Sequence, residues 1–221
     1  MTVGSEPRDL IDPPLTTVER RNRGSNSLFR REKISIPNAE LTVFYGALSS
    51  VLANSALKAL ANEISWRQGT VKLFGRKIAS PRLSAWYGDR SYTYSRETWA
   101  PAPWTSRLLR IKKHVETLSG AHFNGALLNL YRSGQDSMGW HSDNEFELGN
   151  LPTIASLSLG AERKFLLRPK KGLARSYAIP LPHNSLLIMA GKTQENWQHS
   201  IPKTTKSVGV RINLTFRWIN N

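Results

Sequence analysis

Hydrophobic residues recur at helical spacing in two stretches of the chain. In the first, apolar residues return every three or four positions, which predicts a helix over residues 48–65. The second stretch predicts a helix over residues 106–118, which Thr105 or Ser106 can cap and Gly120 ends. The apolar positions of the first helix are Leu48, Val51, Leu52, Ala56, Leu57, Leu60 and Ile64.

Short apolar or alternating runs predict strands before the first helix and after the second. They are separated by turn-forming residues, as expected for a β-sandwich or barrel. The predicted strands cover residues 41–45, 126–131, 154–159, 164–168, 185–189 and 208–218. The sequence therefore predicts a mainly β fold with flanking helices, in the α+β class.

The segment between the two helices has a different character. Residues 66–113 contain eleven Lys or Arg and only two acids, Asp89 and Glu97, with aromatic side chains interleaved. Turn residues such as Gly75 and Gly88 predict hairpins here. We interpret this segment as a nucleotide-recognition segment, because basic surfaces with aromatic side chains are typical of nucleic-acid binding.

The composition of the whole chain supports an anionic partner. The 221 residues include 31 Lys or Arg against 16 Asp or Glu, a formal charge of +15. Such an excess is typical of proteins that bind nucleic acid, although it is also found in proteins that are only generally basic. The absence of cysteine excludes disulfides and cysteine chemistry.

The ends of the sequence predict how the chain is organised. Residues 1–35 are polar and charged, and we expect a mobile basic arm there, followed by a single domain over residues 36–221. No stretch has the length and apolarity of a membrane helix, and no apolar signal segment is present. We therefore expect a monomer without membrane contact, in the cytoplasm of a bacterium or the nucleus of a eukaryote.

Two histidines and an aspartate form a candidate metal site. His141 and Asp143 are one residue apart, so they point to the same side of an extended chain, and His199 follows later. Two imidazoles and one carboxylate are the facial triad of non-haem Fe(II), which leaves open positions for substrate and oxygen. On its own, the His-x-Asp motif fits a histidine that hydrogen-bonds a loop aspartate better.

The strand predicted at residues 208–218 strengthens the iron interpretation. Its alternation places Val208, Val210, Ile212, Leu214 and Phe216 on one face and Arg211, Asn213, Thr215 and Arg217 on the other. An ordinary half-buried strand remains the alternative, but this polar face carries two guanidinium groups and no acid. Because arginine binds carboxylates through paired hydrogen bonds, the face suits a small diacid that also chelates Fe(II), namely 2-oxoglutarate.

Together these motifs resemble the AlkB-like dioxygenases, over about residues 41–218. The matching motifs are Asn129-Leu-Tyr131, the loop with Gly134 and Asp136, His141-Ser-Asp143, Glu145, Ile154 to Gly160, His199-Ser-Ile-Pro202, and Arg211-Ile-Asn-Leu-Thr-Phe-Arg217. The resemblance is strongest to the branch that acts on duplex DNA, through Phe74-Gly75, Tyr87-Gly-Asp89 and Tyr92-Thr-Tyr94-Ser95. It implies a double-stranded β-helix, or jelly-roll barrel, over residues 124–218, with an N-terminal helical and hairpin substrate-binding extension.

The resemblance also implies the cofactors and their ligands. His141, Asp143 and His199 would bind Fe(II), the catalytic metal, and Arg211 would hold the far carboxylate of 2-oxoglutarate. Arg217 would hold the chelating end. The hydrogen-bonding partners would be Asn129, Tyr131 and Asn213. The implied reaction couples O2 and 2-oxoglutarate to hydroxylation of an N-linked methyl group, and yields formaldehyde, succinate and CO2.

The implied substrate is a damaged base, which must leave the duplex to reach a buried oxidant. Tyr94 would stack on the flipped base, Tyr92 and Ser95 would line its pocket, and Phe74 would enter the base stack as a wedge. For the aromatic residues among these, a role in the protein core is the alternative. Glu145 would contact the positive charge of a base such as 1-methyladenine or 3-methylcytosine.

Basic residues beyond the predicted barrel strands suggest contacts with phosphates, although a solvated loop would have the same composition. The candidates are Arg168, Lys170, Lys171 and Arg175. Three alternatives to a DNA demethylase stay open at this point. They are an RNA demethylase of the same family, a 2-oxoglutarate oxygenase with another kind of substrate, and a non-catalytic DNA-binding barrel.

Overall fold

The strands of the protein form two sheets. The computed structural model describes residues 11–12, 15–20, 29–73, 76–94, 97–172 and 175–220. The helices within this part of the chain are α1 (Ser50–Glu63), α2 (Ser106–Ser119), α3 (Thr193–Asn196) and a 3₁₀ helix at Phe146–Leu148. Its strands are β1 (Ile11–Asp12), β2 (Leu15–Arg20), β3 (Arg30–Ile36), β4 (Ala39–Tyr45), β5 (Thr70–Leu73), β6 (Arg76–Ala79), β7 (Leu83–Gly88), β8 (Tyr92–Tyr94), β9 (Glu97–Trp99), β10 (Gly125–Tyr131), β11 (Met138–His141), β12 (Ile154–Gly160), β13 (Arg163–Pro169), β14 (Ser176–Leu181), β15 (Ser185–Ala190), β16 (Trp197–Ile201) and β17 (Arg211–Arg217).

The two large sheets have different sizes and mixed strand order. The eight-stranded sheet has the order β2-β3-β4-β15-β12-β17-β10-β7, and the five-stranded sheet has the order β1-β14-β13-β16-β11. Neighbouring strands are mostly distant in sequence, as in a jelly roll, so the predicted mainly β fold with few helices is confirmed. Two separate hairpins, β5-β6 and β8-β9, lie in the basic segment at residues 66–113.

The apolar side chains divide into two cores. One core lies between helices α1 and α2 and the eight-stranded sheet, and contains Leu60, Leu108 and Leu214. The other contains side chains of both sheets, such as Leu127 and Leu167. The protein therefore has three layers, and the space between the sheets is the interior in which a buried site can form.

Strand β17 lies in the interior of the eight-stranded sheet, third from its β7 edge, and both of its faces are covered. It pairs with β10 on one side and β12 on the other. Ile212, Leu214 and Phe216 belong to the helix-side core, and Arg211 and Arg217 face the interior. The predicted alternation is confirmed for these residues, because a strand turns successive side chains to opposite faces.

The beginning of this strand was predicted too early. The strand starts at Arg211, and the backbone of Val210 instead accepts a hydrogen bond from Ala161. As a result, Val210 is 42% exposed and does not join the core face.

Both long helices lie where the periodicity predicts them, within two residues. The side chain of Ser49 caps α1, Thr105 caps α2, and Gly120 ends α2 in the left-handed conformation. Val51 is 81% exposed, so it does not belong to the buried stripe of α1. Among the described residues, no helix has the length and apolarity needed to cross a membrane.

The structure also contains strands inside the range that we expected to be a mobile arm. Strand β3 pairs over its whole length with β4, and β2 pairs with β3, so the sheet extends further towards the N-terminus than residue 36. Ile34 and Ile36 are buried, which explains why β3 is held against the rest of the sheet.

Candidate active site

The three predicted iron ligands lie together at one end of the barrel interior. His141 ends β11 and pairs directly with His199 on the neighbouring strand β16, and Asp143 follows two residues later. One ligand atom from each of the three residues lies within 4.8 Å of the other two. A single metal ion can therefore contact all three side chains, as the sequence predicted.

Packing fixes the orientation of both imidazole rings. The Nδ1 atom of His141 lies 2.9 Å from the carbonyl oxygen of Gly139, so Nε2 is left for a metal. The ring of His199 stacks on Phe165 at 5.0 Å and contacts the ring of His141 edge-on at 4.2 Å. Burial and the neighbouring His141 lower the pKa of His199 to about 3, so its ring is in the neutral form that binds metals.

Asp143 is ionised although it is almost completely buried. Its Oδ1 atom accepts a hydrogen bond of 2.6 Å from Arg217. Burial alone would raise the pKa of Asp143, but the guanidinium of Arg217 and the two histidines outweigh burial and hold that pKa well below its usual range. The backbone N–H of Asp143 is bound by the side chain of Gln194 at 2.9 Å, which fixes the loop that carries this ligand.

Arg211, at the other end of β17, is 1% exposed and has no such carboxylate partner. Its Nη2 atom donates to the hydroxyl of Ser158 at 2.9 Å, while Nε and Nη1 have no hydrogen-bond partner among the described residues. Unsatisfied buried donors are costly, on the order of 1–3 kcal/mol or more for charged groups. An anionic ligand in the interior would satisfy them.

A pocket joins Arg211 to the three candidate ligands. Its polar lining residues are Asn129, Tyr131, His141, Asp143, Ser156, His199, Ser200, Arg211, Asn213, Thr215 and Arg217. The residues thus fit both groups predicted for the site: a metal at the histidine pair and a dicarboxylate that reaches from the metal to Arg211.

The remaining predicted 2-oxoglutarate residues line the same pocket, with different amounts of free hydrogen-bonding capacity. Tyr131 is buried, and the guanidinium of Arg211 lies 5.0 Å from its ring centre. The carbonyl oxygen of the Asn129 side chain already accepts hydrogen bonds from Arg82 and Ser84. The amide of Asn213 is also bound within the protein, by Ser156, Leu157 and Thr215, so its contact with a co-substrate stays a prediction.

Three residues that support the site were missed at the level of sequence. Arg82 holds Asn129, Gln194 holds the backbone of Asp143, and Arg163 donates to the carbonyl oxygens of Ser133, Asp136 and Pro202. All three side chains are buried. The alternation of β13 carried a signal for Arg163 alone, since it shares a face with the apolar Phe165 and Leu167.

The predicted base-contacting residues are described only in part. Phe74 and Ser95 lie outside the described residues, as does the side chain of Tyr94, whose backbone belongs to the β8-β9 hairpin. Tyr92 is 1% exposed and stacks on Trp86 at 4.7 Å. Its ring centre lies 5.3 Å from the guanidinium carbon of Arg217, so it packs beneath the iron-site end of the barrel.

Glu145 is half-buried close to Tyr92 and Asp143. Burial and the charge of Asp143 raise the pKa of Glu145 above its usual value. A carboxylate that is destabilised in this way gains most from a positive group placed beside it. Its position is therefore compatible with the predicted contact to a cationic base, which stays a prediction.

The four residues predicted to contact phosphates differ in their exposure and in the hydrogen bonds that they make within the protein. The ammonium of Lys170 donates to the backbone carbonyl of Gln194 at 2.7 Å, and Arg168 donates to the side chain of Gln198 at 2.9 Å. Lys171 and Arg175 are exposed. Arg168 lies on the outer face of the five-stranded sheet beside Trp140, whereas the residues predicted to bind iron and 2-oxoglutarate line the interior pocket.

The sequence matches a known superfamily over the whole barrel. Residues 40–217 match the 2OG-Fe(II) oxygenase superfamily, and the chain belongs to it. The cofactors of this superfamily are Fe(II) and 2-oxoglutarate, with O2 as the oxidant, and the donor set of two histidines, one aspartate and a buried free guanidinium fits them. The predicted cofactors are thereby confirmed.

Within this superfamily, the relatives are AlkB homologues. The chain is 45% identical to the bovine alpha-ketoglutarate-dependent dioxygenase alkB homolog 3 over 176 residues, 76% of this chain and 62% of the relative. It is 38% identical to the human DNA oxidative demethylase ALKBH2 over 190 residues, 80% of this chain and 72% of the relative. The chain thus spans less than two thirds of the alkB homolog 3 protein, and the resemblance to AlkB-like enzymes is confirmed.

A solved structure supports the fold independently. The structure of OsALKBH1 superposes with a TM-score of 0.60 and covers 83% of this chain and 99% of its own. The two sequences are only 15% identical over this region. This likeness therefore concerns the fold alone.

Proposed function

We propose that the protein is an Fe(II)- and 2-oxoglutarate-dependent dioxygenase that removes methyl groups from N-alkylated bases in DNA. The observation that carries the proposal is the buried pocket in which His141, Asp143 and His199 meet while Arg211 keeps two donors unpaired. Bound Fe(II) would supply the oxidation of 2-oxoglutarate and of the methyl group by O2. The products would be succinate, CO2 and formaldehyde, and the outcome would be direct reversal of DNA damage.

The residues of the chain would hold and shield the reactants. Arg211 would bind the far carboxylate of 2-oxoglutarate through Nε and Nη1, the two donors that lack protein partners. Arg217 would keep Asp143 ionised and aimed at the metal through its 2.6 Å hydrogen bond. The apolar wall of Phe165, Met189 and Ile201 would exclude water from the pocket.

Three features support nucleic acid as the substrate. The chain carries a formal charge of +15. A human relative that is 38% identical to this chain, ALKBH2, is a DNA oxidative demethylase. Glu145 lies close to Asp143 at the iron site, where its negative charge would favour a cationic 1-methyladenine or 3-methylcytosine over the neutral base.

The proposal is tested with a panel of methylated oligonucleotides in the presence of Fe(II), 2-oxoglutarate and O2. The panel contains 1-methyladenine and 3-methylcytosine in single-stranded DNA, duplex DNA and RNA. We expect formaldehyde release from the DNA substrates and none from unmethylated controls. The variant Asp143→Ala should lose turnover while it still binds DNA.

Three results would contradict all or part of this function. Equal turnover by wild type and Asp143→Ala would remove the iron assignment. Faster turnover of RNA than of both DNA forms would retain the dioxygenase but replace the substrate. Release of succinate with small molecules or peptides, and none with oligonucleotides, would exclude nucleic acid altogether.

A further inference from the structure

The outer face of the five-stranded sheet carries a group of side chains directly behind the candidate iron site. His141 and His199 point into the barrel from the adjacent strands β11 and β16. Because side chains alternate along a strand, Trp140 and Gln198 point outwards from the same two strands. On the next strand, Arg168 lies opposite Gln198 in the register of β13 and β16.

These three outward side chains contact one another. The guanidinium carbon of Arg168 lies 4.4 Å from the ring centre of Trp140, and its Nε atom donates to Gln198 at 2.9 Å. The guanidinium thus spans from β13 across β16 to β11. Its two Nη groups make no hydrogen bond to any described residue, although Arg168 is held on two sides.

The indole of Trp140 is unusually open for a tryptophan. It is 36% exposed, and among the described residues Arg168 is the only cation or aromatic ring that lies over it. The guanidinium lies over one face of the ring, and part of the remaining ring surface is exposed to solvent. The cation over the indole is a favourable pair that holds both side chains in place, and the exposed part of the ring is an aromatic surface on which a base can stack.

The basic residues around Trp140 and Arg168 favour an anionic partner. Residues 163–181, which form β13, β14 and their connection, contain six Lys or Arg and no Asp or Glu. Of these, Lys164 and Lys171 are exposed in addition to Arg168. A surface that combines fixed guanidinium donors, further cations and an open aromatic ring matches the backbone and bases of a nucleic-acid strand.

We propose that Trp140 and Arg168 form a nucleotide-binding platform for the part of the nucleic acid that stays outside the barrel. The two Nη groups of Arg168 bind a backbone phosphate, and the open part of the Trp140 ring stacks on an unflipped base. Gln198 positions the guanidinium. The platform rests on the proposed function, since it takes the partner to be nucleic acid.

The topology allows one strand of nucleic acid to reach both sites. In the described sheet, β11 is the edge strand, and it carries Trp140 on its outer face and His141 on its inner face. Nucleic acid that inserts one base into the pocket can therefore pass this edge without crossing another strand of the sheet. The platform would bind sequence-independently, because every base has a face that stacks.

The test is binding of methylated oligonucleotides to the full chain, loaded with Fe(II) and 2-oxoglutarate without O2, across a series of salt concentrations. Trp140→Ala should weaken binding about fivefold or more, and Trp140→Phe should retain most of the affinity. Arg168→Ala should reduce the log–log salt slope by about 0.9 for duplex DNA or about 0.7 for single strands. Trp218→Ala, at a tryptophan that is 50% exposed elsewhere, and Lys58→Ala on α1 are the matched controls.

Each outcome decides the proposal. Weaker binding by Trp140→Ala and Arg168→Ala, with both controls and all melting temperatures at wild-type values, supports the platform. Wild-type affinity for either variant overturns the platform, and continued demethylation by that variant shows that the proposed function survives. A wild-type protein that neither binds nor demethylates oligonucleotides would overturn both.

Discussion

Strand β17 carries a buried arginine at each end, and the two arginines differ in whether a carboxylate is paired with them. At one end, Arg217 is paired with the carboxylate of Asp143 at 2.6 Å, and both side chains are almost fully buried. At the other end, Arg211 is equally buried, but its partners in the described part of the chain are neutral: the hydroxyl of Ser158 and the ring of Tyr131. The first guanidinium is part of the folded protein's own charge balance, whereas the second lacks a counter-charge from the described residues.

The difference separates a guanidinium that is paired within the protein from one that has no counter-charge among the described residues. Burial of a charge is tolerated when a partner compensates for lost hydration, and it is costly when the partner is missing. Arg217 stabilises the apo protein through Asp143. Arg211 would gain a counter-charge from an anion in the pocket, and this is why we propose that it binds the co-substrate.

The largest expected effect comes from replacing Arg217. Arg217→Met leaves the carboxylate of Asp143 buried without its cation, and we expect a loss of about 3–5 kcal/mol in the free energy of unfolding. Urea denaturation of the metal-free protein measures this change. A variant as stable as wild type would show that Asp143 does not depend on Arg217.

Arg211→Met should leave stability unchanged and instead weaken the binding of 2-oxoglutarate. The metal-free variant should be as stable as wild type, because the change removes two unsatisfied buried donors. The KM for 2-oxoglutarate should rise by about 10- to 100-fold, the equivalent of losing a charge-assisted hydrogen-bonded pair. Steady-state kinetics checks this, and an unchanged KM would refute the role of Arg211.

A third buried arginine, Arg163, extends the comparison because its hydrogen-bond partners are neutral. Arg163 binds three backbone carbonyl groups from two loops and lies 5.7 Å from the ring centre of Tyr131. Arg163→Met should cost on the order of 1–3 kcal/mol of stability and raise the KM for 2-oxoglutarate severalfold. Thermal denaturation and kinetics measure the two effects, and a stability loss without any change in KM would restrict Arg163 to a structural role.

The smallest effect is expected at Ser158, the single described hydrogen-bond partner of Arg211. Ser158→Ala removes a hydrogen bond that is worth about 1 kcal/mol and should raise the KM for 2-oxoglutarate about fivefold. Its kcat should not change, since Ser158 lies behind Arg211. An equal effect of Ser156→Ala, whose hydroxyl binds Asn213 instead, would remove the distinction between the two serines.

The interior of the barrel was largely predictable from sequence because it depends on alternation. The period of β17 placed Arg211 and Arg217 on one face, and the His141-x-Asp143 spacing placed two ligands on one side. The contacts that these residues make with side chains from other strands could not be predicted from periodicity. The pairing of Asp143 with Arg217 and the support of Asn129 by Arg82 depend on which strands become neighbours.

The outer residues were harder to interpret because charge alone does not define contacts. Lys170 belongs to a basic run in the sequence, yet its ammonium is bound to the backbone of Gln194. Trp140 carried no periodic signal, and only the alignment of three strands places it under Arg168. The early start of the sheet at β3 was missed because its exposed positions are as polar as those of the residues before it.

The spacing of the iron-site residues along the chain has a consequence for how the protein acquires its metal. Asp143 and Arg217 are 74 positions apart, and β16 and β17 lie near the end of the described chain. A nascent chain that has been synthesised only as far as β13 therefore contains His141 and Asp143 but neither His199 nor the two arginines of β17. Bound iron would therefore indicate that the barrel has folded. Before β16 and β17 are in place, the chain would not hold iron in a site that is exposed to solvent.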